Sequence, residues 1–162
     1  MNARSRISGL TVFCGVLFLL SVQVLAQWPF GVPTTPDAQR TAMNGVRSQV
    51  NWVQNASRTA PNYGESGYGN MQQTFEGLRQ AFNGFKQTLT PKQLTQGANS
   101  LAELDAGLDI IQEAFVNYQE DRANGRPVGL ALRNMCGDLR QGSAVWLQEF
   151  NKICSRIRVG WG

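Results

Sequence analysis

Apolar residues recur every three or four positions along most of the chain beyond residue 36, and this spacing predicts amphipathic helices. The clearest case is the stretch 90–122, where the spacing from Leu101 onward runs 3, 4, 3, 4 and 3 residues: Leu101, Leu104, Leu108, Ile111, Phe115 and Tyr118. Such a seam buries one stripe of a helix against partner helices. We therefore expect 90–122 to be the central strut of the fold.

The stretch 71–89 carries the most aromatic seam, again spaced by three and four residues: Tyr68, Met71, Phe75, Leu78, Phe82, Phe85 and Leu89. An aromatic stripe at this spacing is typical of a core rather than of a cofactor site. A second row on the same helix contains only small residues, Gly77, Ala81 and Gly84. We expect that row to pack closely against an alanine row of the third helix: Ala98, Ala102 and Ala106.

Two further stretches complete the predicted fold. Residues 37–59 form the first helix, residues 128–159 form the fourth, and 123–127 carry the Asn-Gly and Pro signals of a turn. Thr90 and Gln93 supply a capping box at the start of the third helix. The predicted fold class is all-α, an antiparallel up-down-up-down four-helix bundle with left-handed, coiled-coil-like packing.

Residues 1–26 have the pattern of a secretory signal peptide. Arg4 and Arg6 precede a largely apolar run, and we place cleavage after Ala26. An uncleaved membrane anchor is the alternative, but the run is shorter than the roughly 20 residues that a span needs. The sequence therefore predicts a secreted or periplasmic protein that keeps no membrane span after cleavage.

The rest of the chain divides into three parts. Residues 27–36 hold three prolines and form a Pro-rich extended arm, residues 37–159 form the four-helix bundle domain, and 160–162 are a tail. Trp28 on the arm either packs on the bundle or binds a partner. Residues 60–70 read as the longest irregular loop inside the domain, and Tyr63 and Tyr68 on it are the other ligand-binding candidates.

Charge and composition exclude several functions. Cleavage would leave 13 Lys+Arg and 11 Asp+Glu, a net charge of +2, and no basic block is interleaved with aromatics, so we expect no nucleic-acid partner. The chain has no histidine, which removes His-dependent acid–base catalysis and His metal ligands. We therefore expect no catalytic residues, no metal, no cofactor and no enzyme activity.

One acidic stripe on the third helix, Asp105, Asp109 and Glu113, invites comparison with the carboxylate metal sites of helical bundles. Those sites also use histidine, which is absent. We interpret the stripe as a solvated face, partly paired with basic residues of the fourth helix: Arg133, Arg140, Lys152 and Arg156.

Two cysteines, Cys136 and Cys154, follow the predicted cleavage point. They stand 18 residues apart, which is about 27 Å along a straight helix, whereas a disulfide needs Cα atoms within about 7 Å. They are not expected to pair within one unbroken helix. Either the fourth stretch turns back at Gly142-Ser143, or the helix is continuous and the thiols are free or join two chains of a homodimer. We favour the continuous helix.

These features predict a non-catalytic helical-bundle protein with a binding or scaffolding role, acting on an unidentified protein or envelope partner. The stretch 89–93, Leu-Thr-Pro-Lys-Gln, resembles the L-T-x-x-Q motif of the small periplasmic Spy/CpxP-type stress proteins. The motif occurs once, and the aromatic second seam is not part of that pattern. The resemblance implies, as an alternative, an envelope stress or chaperone-like protein.

Overall fold

A computed structural model describes residues 34–161, and these residues are almost entirely helical. The helices are α1 (Pro36–Thr59), α2 (Glu65–Gln87), α3 (Pro91–Ala123) and α4 (Val128–Arg156), with a 3-10 turn at Ala60–Tyr63. The predicted all-α four-helix bundle is confirmed. The predicted signal peptide, Trp28 and most of the predicted arm lie outside the described residues. None of the four helices combines the length and apolar character needed to cross a membrane.

Local capping chemistry sets where two of the helices begin. Thr35 accepts a hydrogen bond from the Ala38 amide (3.2 Å), so α1 starts one residue before the predicted boundary. Thr90 caps α3 by accepting from the Gln93 amide (3.3 Å), while the Gln93 side chain accepts from the Thr90 amide (2.9 Å). The predicted capping box is therefore present.

The core is built from the predicted seams. The leucine seam of α3 and the aromatic seam of α2 are buried together with inward residues of α1 and α4. At its centre Phe82 meets Trp146 edge-on, with ring centroids 5.2 Å apart, and Trp146 stacks on Phe150 at 5.4 Å. The Trp146 indole N–H donates to the Leu104 carbonyl at 2.8 Å, which fastens α4 to α3.

The alanine row of α3 does not pack against α2, and that prediction is wrong. Ala98, Ala102 and Ala106 are all exposed. Ala106 lies two residues from both Leu104 and Leu108, which is about 200° round the helix from each. Once the leucine seam faces the core, the alanines must face solvent. The small-residue row of α2 does not meet α3 either, since Gly77 lies against the Gln49 side chain of α1.

Glycines instead bring α3 close to α4. A methyl group added at Gly107 would lie 3.1 Å from the Trp146 ring, and one at Gly142 would lie 2.8 Å from the Ile111 side chain. A turn at Gly142-Ser143 was the alternative to a continuous fourth helix, but α4 runs through Gly142 without a break. Its missing side chain serves helix packing.

One end of the bundle is held together by the buried side chain of Gln39. Its Nε2 donates to the Thr88 carbonyl (3.0 Å) and to Gln93 Oε1 (2.7 Å), and its Oε1 accepts from the Gly160 amide (2.9 Å). Arg40 also donates to the Gly160 carbonyl, at 2.8 Å. The start of α1, the end of α2, the start of α3 and the segment after α4 therefore meet here. Gly160, assigned to the tail by sequence, is fixed by these bonds.

Candidate functional site

The segment that was predicted to be an irregular binding loop is mostly helical. The 3-10 turn occupies Ala60–Tyr63, and α2 begins at Glu65, so only Gly64 separates them. Tyr63 is 61% exposed, as a binding residue requires. Tyr68 is half-buried on α2 rather than on a loop. The prediction of a loop over 60–70 is therefore wrong.

Tyr68 is part of the packing between α2 and α3. Its ring stacks on Tyr118 with centroids 4.5 Å apart and meets the edge of Phe115 at 5.9 Å. Its hydroxyl accepts hydrogen bonds from the side-chain amides of Gln72 and Gln119, each at 2.9 Å. The ring and the hydroxyl are both engaged within the bundle, which leaves Tyr68 little freedom to bind a ligand.

The neighbouring Tyr118 is held as a neutral phenol. Its hydroxyl donates to a Glu65 carboxylate oxygen at 2.8 Å. Burial, reinforced by the charge and hydrogen bond of Glu65, raises the pKa of Tyr118 to about 12. This tyrosine is therefore a hydrogen-bond donor that joins α3 to the start of α2.

Two of the three acids in the stripe of α3, Asp105 and Asp109, pair with α2, and among the described residues none of the three forms the predicted ion pair with α4. Lys86 Nζ lies 2.8 Å from each carboxylate oxygen of Asp105, and Arg79 forms an ion pair with Asp109. These two acids lie on the flank of α3 that faces α2. Within residues 34–161 no group of three or more Cys, Asp or Glu side chains is placed to hold a metal ion.

A groove with a volume of about 560 Å³ lies between α3 and α4. Its floor is made of buried apolar side chains: Leu104, Ile111, Ala114, Trp146 and Ile153. Ile110 of α3 and Val145 of α4 stand on its edges and are 66% and 56% exposed. The volume falls within the range of small-ligand and peptide-binding sites, and the apolar floor suits a binding surface.

Two glycines at the α3–α4 contact let the floor of the groove pack closely. Gly107 lies against Trp146 and Gly142 lies against Ile111, so each helix lacks a side chain where the other presents a large one. The Trp146 ring and the Ile111 side chain fill the space that a side chain at either glycine would occupy, so the two helices pack closely beneath the groove. Both glycines line the groove.

The rim of the groove is acidic. Among residues 34–161, four carboxylates line it, from Glu103, Glu113, Asp138 and Glu149, and no lysine or arginine does. Glu149 pairs with Lys152 at 2.6 Å on its own helix. In the part of the chain that the structure describes, the other three carboxylates form no ion pair. The groove therefore combines an apolar floor with a negative rim.

The residues of this groove did not stand out in the sequence. Ile110 and Val145 are apolar residues outside the predicted seams, and such isolated residues are common on protein surfaces. Gly107 and Gly142 lie 35 positions apart, and their shared role depends on α3 and α4 being neighbours. The available signal was an apolar residue beside the seam together with a glycine on each of the two longest helices.

Cys136 and Cys154 are buried free thiols on one continuous helix. Burial is the main cause of both pKa shifts: it raises the pKa of Cys136 to about 11, against a smaller opposing effect of Arg140. The pKa of Cys154 rises to about 12, with Arg47 opposing. Only the thiolate is nucleophilic, so neither side chain is prepared for chemistry.

We expect these thiols to react slowly in the folded protein. At pH 8 a maleimide should label the peptides of Cys136 and Cys154 at least tenfold more slowly in native protein than in protein unfolded by guanidinium chloride, as read by mass spectrometry. Because burial favours the neutral thiols, they contribute fully to the free energy of unfolding below the ordinary cysteine pKa of about 8.5. This contribution is lost as the pH rises toward the raised pKa values of the folded protein. Equal labelling rates in the two states would contradict this burial.

Comparisons with protein-family models, with curated proteins and with solved structures found no match to this chain. In the L-T-x-x-Q stretch, Thr90 and Gln93 form the capping box at the start of α3. Gln93 also donates to the Gln39 side chain at 3.2 Å.

Proposed function

We propose that this protein is a non-catalytic binding protein that acts outside the cytoplasm, and that the groove between α3 and α4 is its binding surface. The observation that carries the proposal is the apolar floor of that groove, flanked by Ile110 and Val145, which are more than half exposed. Covering exposed apolar side chains contributes about 25 cal/mol per Å² of buried area. The location rests on the signal-like sequence of residues 1–26.

The chemistry of the groove supports binding rather than catalysis. The one polar group on the floor, the Trp146 indole N–H, is already bonded to the Leu104 carbonyl at 2.8 Å. The carboxylates stand on the exposed rim, where water solvates them. General acid–base catalysis by carboxylates needs a pair whose environments separate their pKa values, and an exposed rim does not provide such environments.

The proposal predicts that an uncharged hydrophobic dye such as Nile red will bind in the groove. The double variant Ile110→Asn/Val145→Asn should weaken dye binding by about tenfold or more, because it removes apolar area from both edges. Fluorescence titration gives the affinity. Both side chains are largely exposed, so the unfolding free energy should change by less than about 1 kcal/mol.

Val116→Asn is the matched control. Val116 is also an apolar residue of α3, 51% exposed, and it does not line the groove. Its replacement should leave the dye affinity within about twofold of the parent. If the parent protein binds no dye, or if all three proteins bind it equally, the groove is not the binding surface.

The alternative function is the chaperone-like one, and the same groove supports it because a chaperone needs a concave apolar face for unfolded clients. A test of client aggregation separates the two functions. Suppression of aggregation that is lost in the Ile110→Asn/Val145→Asn variant favours a chaperone. Dye binding without suppression favours a dedicated ligand or partner.

A further inference from the structure

We infer that the occupant of the groove is a basic amphipathic helix of a partner protein, laid along α3 and α4 with its apolar side on the groove floor. This inference rests on the proposed binding function of the groove and goes further by assigning the chemistry of the partner. The length of the groove, the exposed apolar side chains on its edges and the negative charge of its rim all favour such a partner.

The groove is long. Its lining residues on α3 run from Glu103 to Asn117, a length of about 21 Å at 1.5 Å per residue. An extended occupant can therefore contact the apolar floor over several helical turns. A helix of about 14 residues spans the same length.

The edges of the groove need a partner wider than the groove. Ile110 and Val145 rise on opposite sides, one on each helix, and both are more than half exposed. A ligand confined to the floor would leave them in water. A helix is about 10–12 Å across with its side chains, so one lying over the groove contacts both edges while its apolar row fills the space between them.

The rim carboxylates are arranged in two pairs, one toward each end of the groove. The Gly107–Trp146 and Ile111–Gly142 contacts set the register between the helices. In that antiparallel register Glu103 lies within one residue of the level of Glu149, and Glu113 within two residues of the level of Asp138. The pairs are 10 or 11 residues apart, about 15–17 Å along the groove, with the apolar stretch between them.

This arrangement specifies where a partner helix carries its charges. Residues 11 positions apart lie on the same face of a helix and are about 16 Å apart. A basic residue at position i and another at i+11 would each meet one carboxylate pair. Apolar residues at i+4 and i+7 would lie between them on the same face, above the groove floor.

The same charges argue against a second copy of this chain. A symmetric dimer through this face would place the Glu103–Glu149 and Glu113–Asp138 pairs of one copy near those of the other, because such an interface is self-complementary. Among the described residues Lys152 pairs with Glu149, but the other three carboxylates form no ion pair, so bringing them together would destabilise the interface. A basic partner removes that repulsion.

The test is a titration of the purified protein with fluorescent synthetic peptides of 15 residues. One peptide carries Lys at two positions 11 apart, with Leu at the intervening positions of the same face, and its counterpart carries Glu in place of Lys. At 50 mM salt the Lys peptide should bind at least tenfold more tightly. The difference should shrink to about threefold or less at 500 mM, where the charges are screened.

Protein variants locate the effect. Glu113→Gln/Asp138→Asn neutralises one carboxylate pair and should weaken the Lys peptide by about three- to tenfold at 50 mM salt, with a smaller loss at 500 mM. Glu120→Gln removes an exposed carboxylate of α3 that does not line the groove, and it should change the affinity by less than twofold.

Each result decides between the assignments. Equal binding of the Lys and Glu peptides, with dye binding intact, overturns the basic helix and leaves the binding function in place. If the parent protein binds neither the peptides nor the dye, the binding function is overturned as well. A dimer in analytical ultracentrifugation that Ile110→Asn/Val145→Asn converts to a monomer would assign the groove to a second copy instead.

Discussion

Phe82→Ala is expected to lower the free energy of unfolding by about 3–5 kcal/mol, the range measured for the loss of a buried phenylalanine. Phe82 is fully buried, and its ring contacts Trp146 at 5.2 Å and Phe150 at 6.1 Å between centroids. The substitution leaves a cavity between α2 and α4, and the neighbouring aromatic rings cannot fill it without leaving their packed positions. Urea unfolding followed by circular dichroism measures the change.

Tyr63→Ala serves as the control for that measurement. It also removes an aromatic ring, but Tyr63 is 61% exposed, so the expected change is within about 0.5 kcal/mol. A loss of less than about 1 kcal/mol for Phe82→Ala would show that the aromatic cluster is not the centre of the core. Trp146 also forms part of the groove floor, so the same cavity should perturb dye binding in the groove.

Gly67→Ala should be the most damaging of the glycine replacements, with a loss of about 3 kcal/mol. A methyl group at this position would lie 2.1 Å from the Ala60 carbonyl oxygen, and a backbone atom cannot rotate away. The first turn of α2 would have to move from the end of α1. The unfolding free energy by chemical denaturation measures the effect.

Gly84→Ala is the matched control in the same helix, and it is expected to change stability in the opposite direction. An added methyl group there meets nothing within 4 Å, and alanine favours a helix over glycine by about 1 kcal/mol. The variant should therefore gain roughly 0.5–1 kcal/mol. A destabilisation of similar size in both variants would mean that helix propensity and steric fit do not explain these positions.

The apolar floor of the groove and its acidic rim can be tested separately. Nile red tests the apolar floor, and the paired Ile110→Asn/Val145→Asn and Val116→Asn variants test its location. The Lys and Glu peptides test the charge of the occupant. Because the rim carboxylates and the floor are different residues, the charge can be removed without damage to the apolar surface.

The sequence did not locate the candidate binding surface, and the two tyrosines that it indicated instead show why. Gly and Pro residues surround Tyr63 and Tyr68, and this composition predicts a loop on which the two tyrosines could bind a ligand. The helix nevertheless begins at Glu65, since the missing side chain of Gly67 lets α2 pack against the Ala60 backbone. Tertiary contact thus overrode the local turn signals, and Tyr68 became part of the α2–α3 packing.

The sequence by itself determined the number of helices, most of their boundaries and the residues of the core. These properties follow from short-range rules: the seams repeat every 3.6 residues, and capping residues bond within one turn. The seam over 90–122 became α3, capped by Thr90 as predicted. The continuous fourth helix was also predicted, because its pattern lies within a single segment of the chain.

Only the tertiary structure decided which helix faces meet and what lies between them. Asp105 and Asp109 pair with α2, the predicted alanine row faces solvent, and Gly107 and Gly142 let Trp146 and Ile111 pack at the α3–α4 contact. Each of these outcomes depends on the rotation and register of one helix against another. Those quantities are set by the fit of side chains that are distant in the sequence, and the local pattern does not contain them.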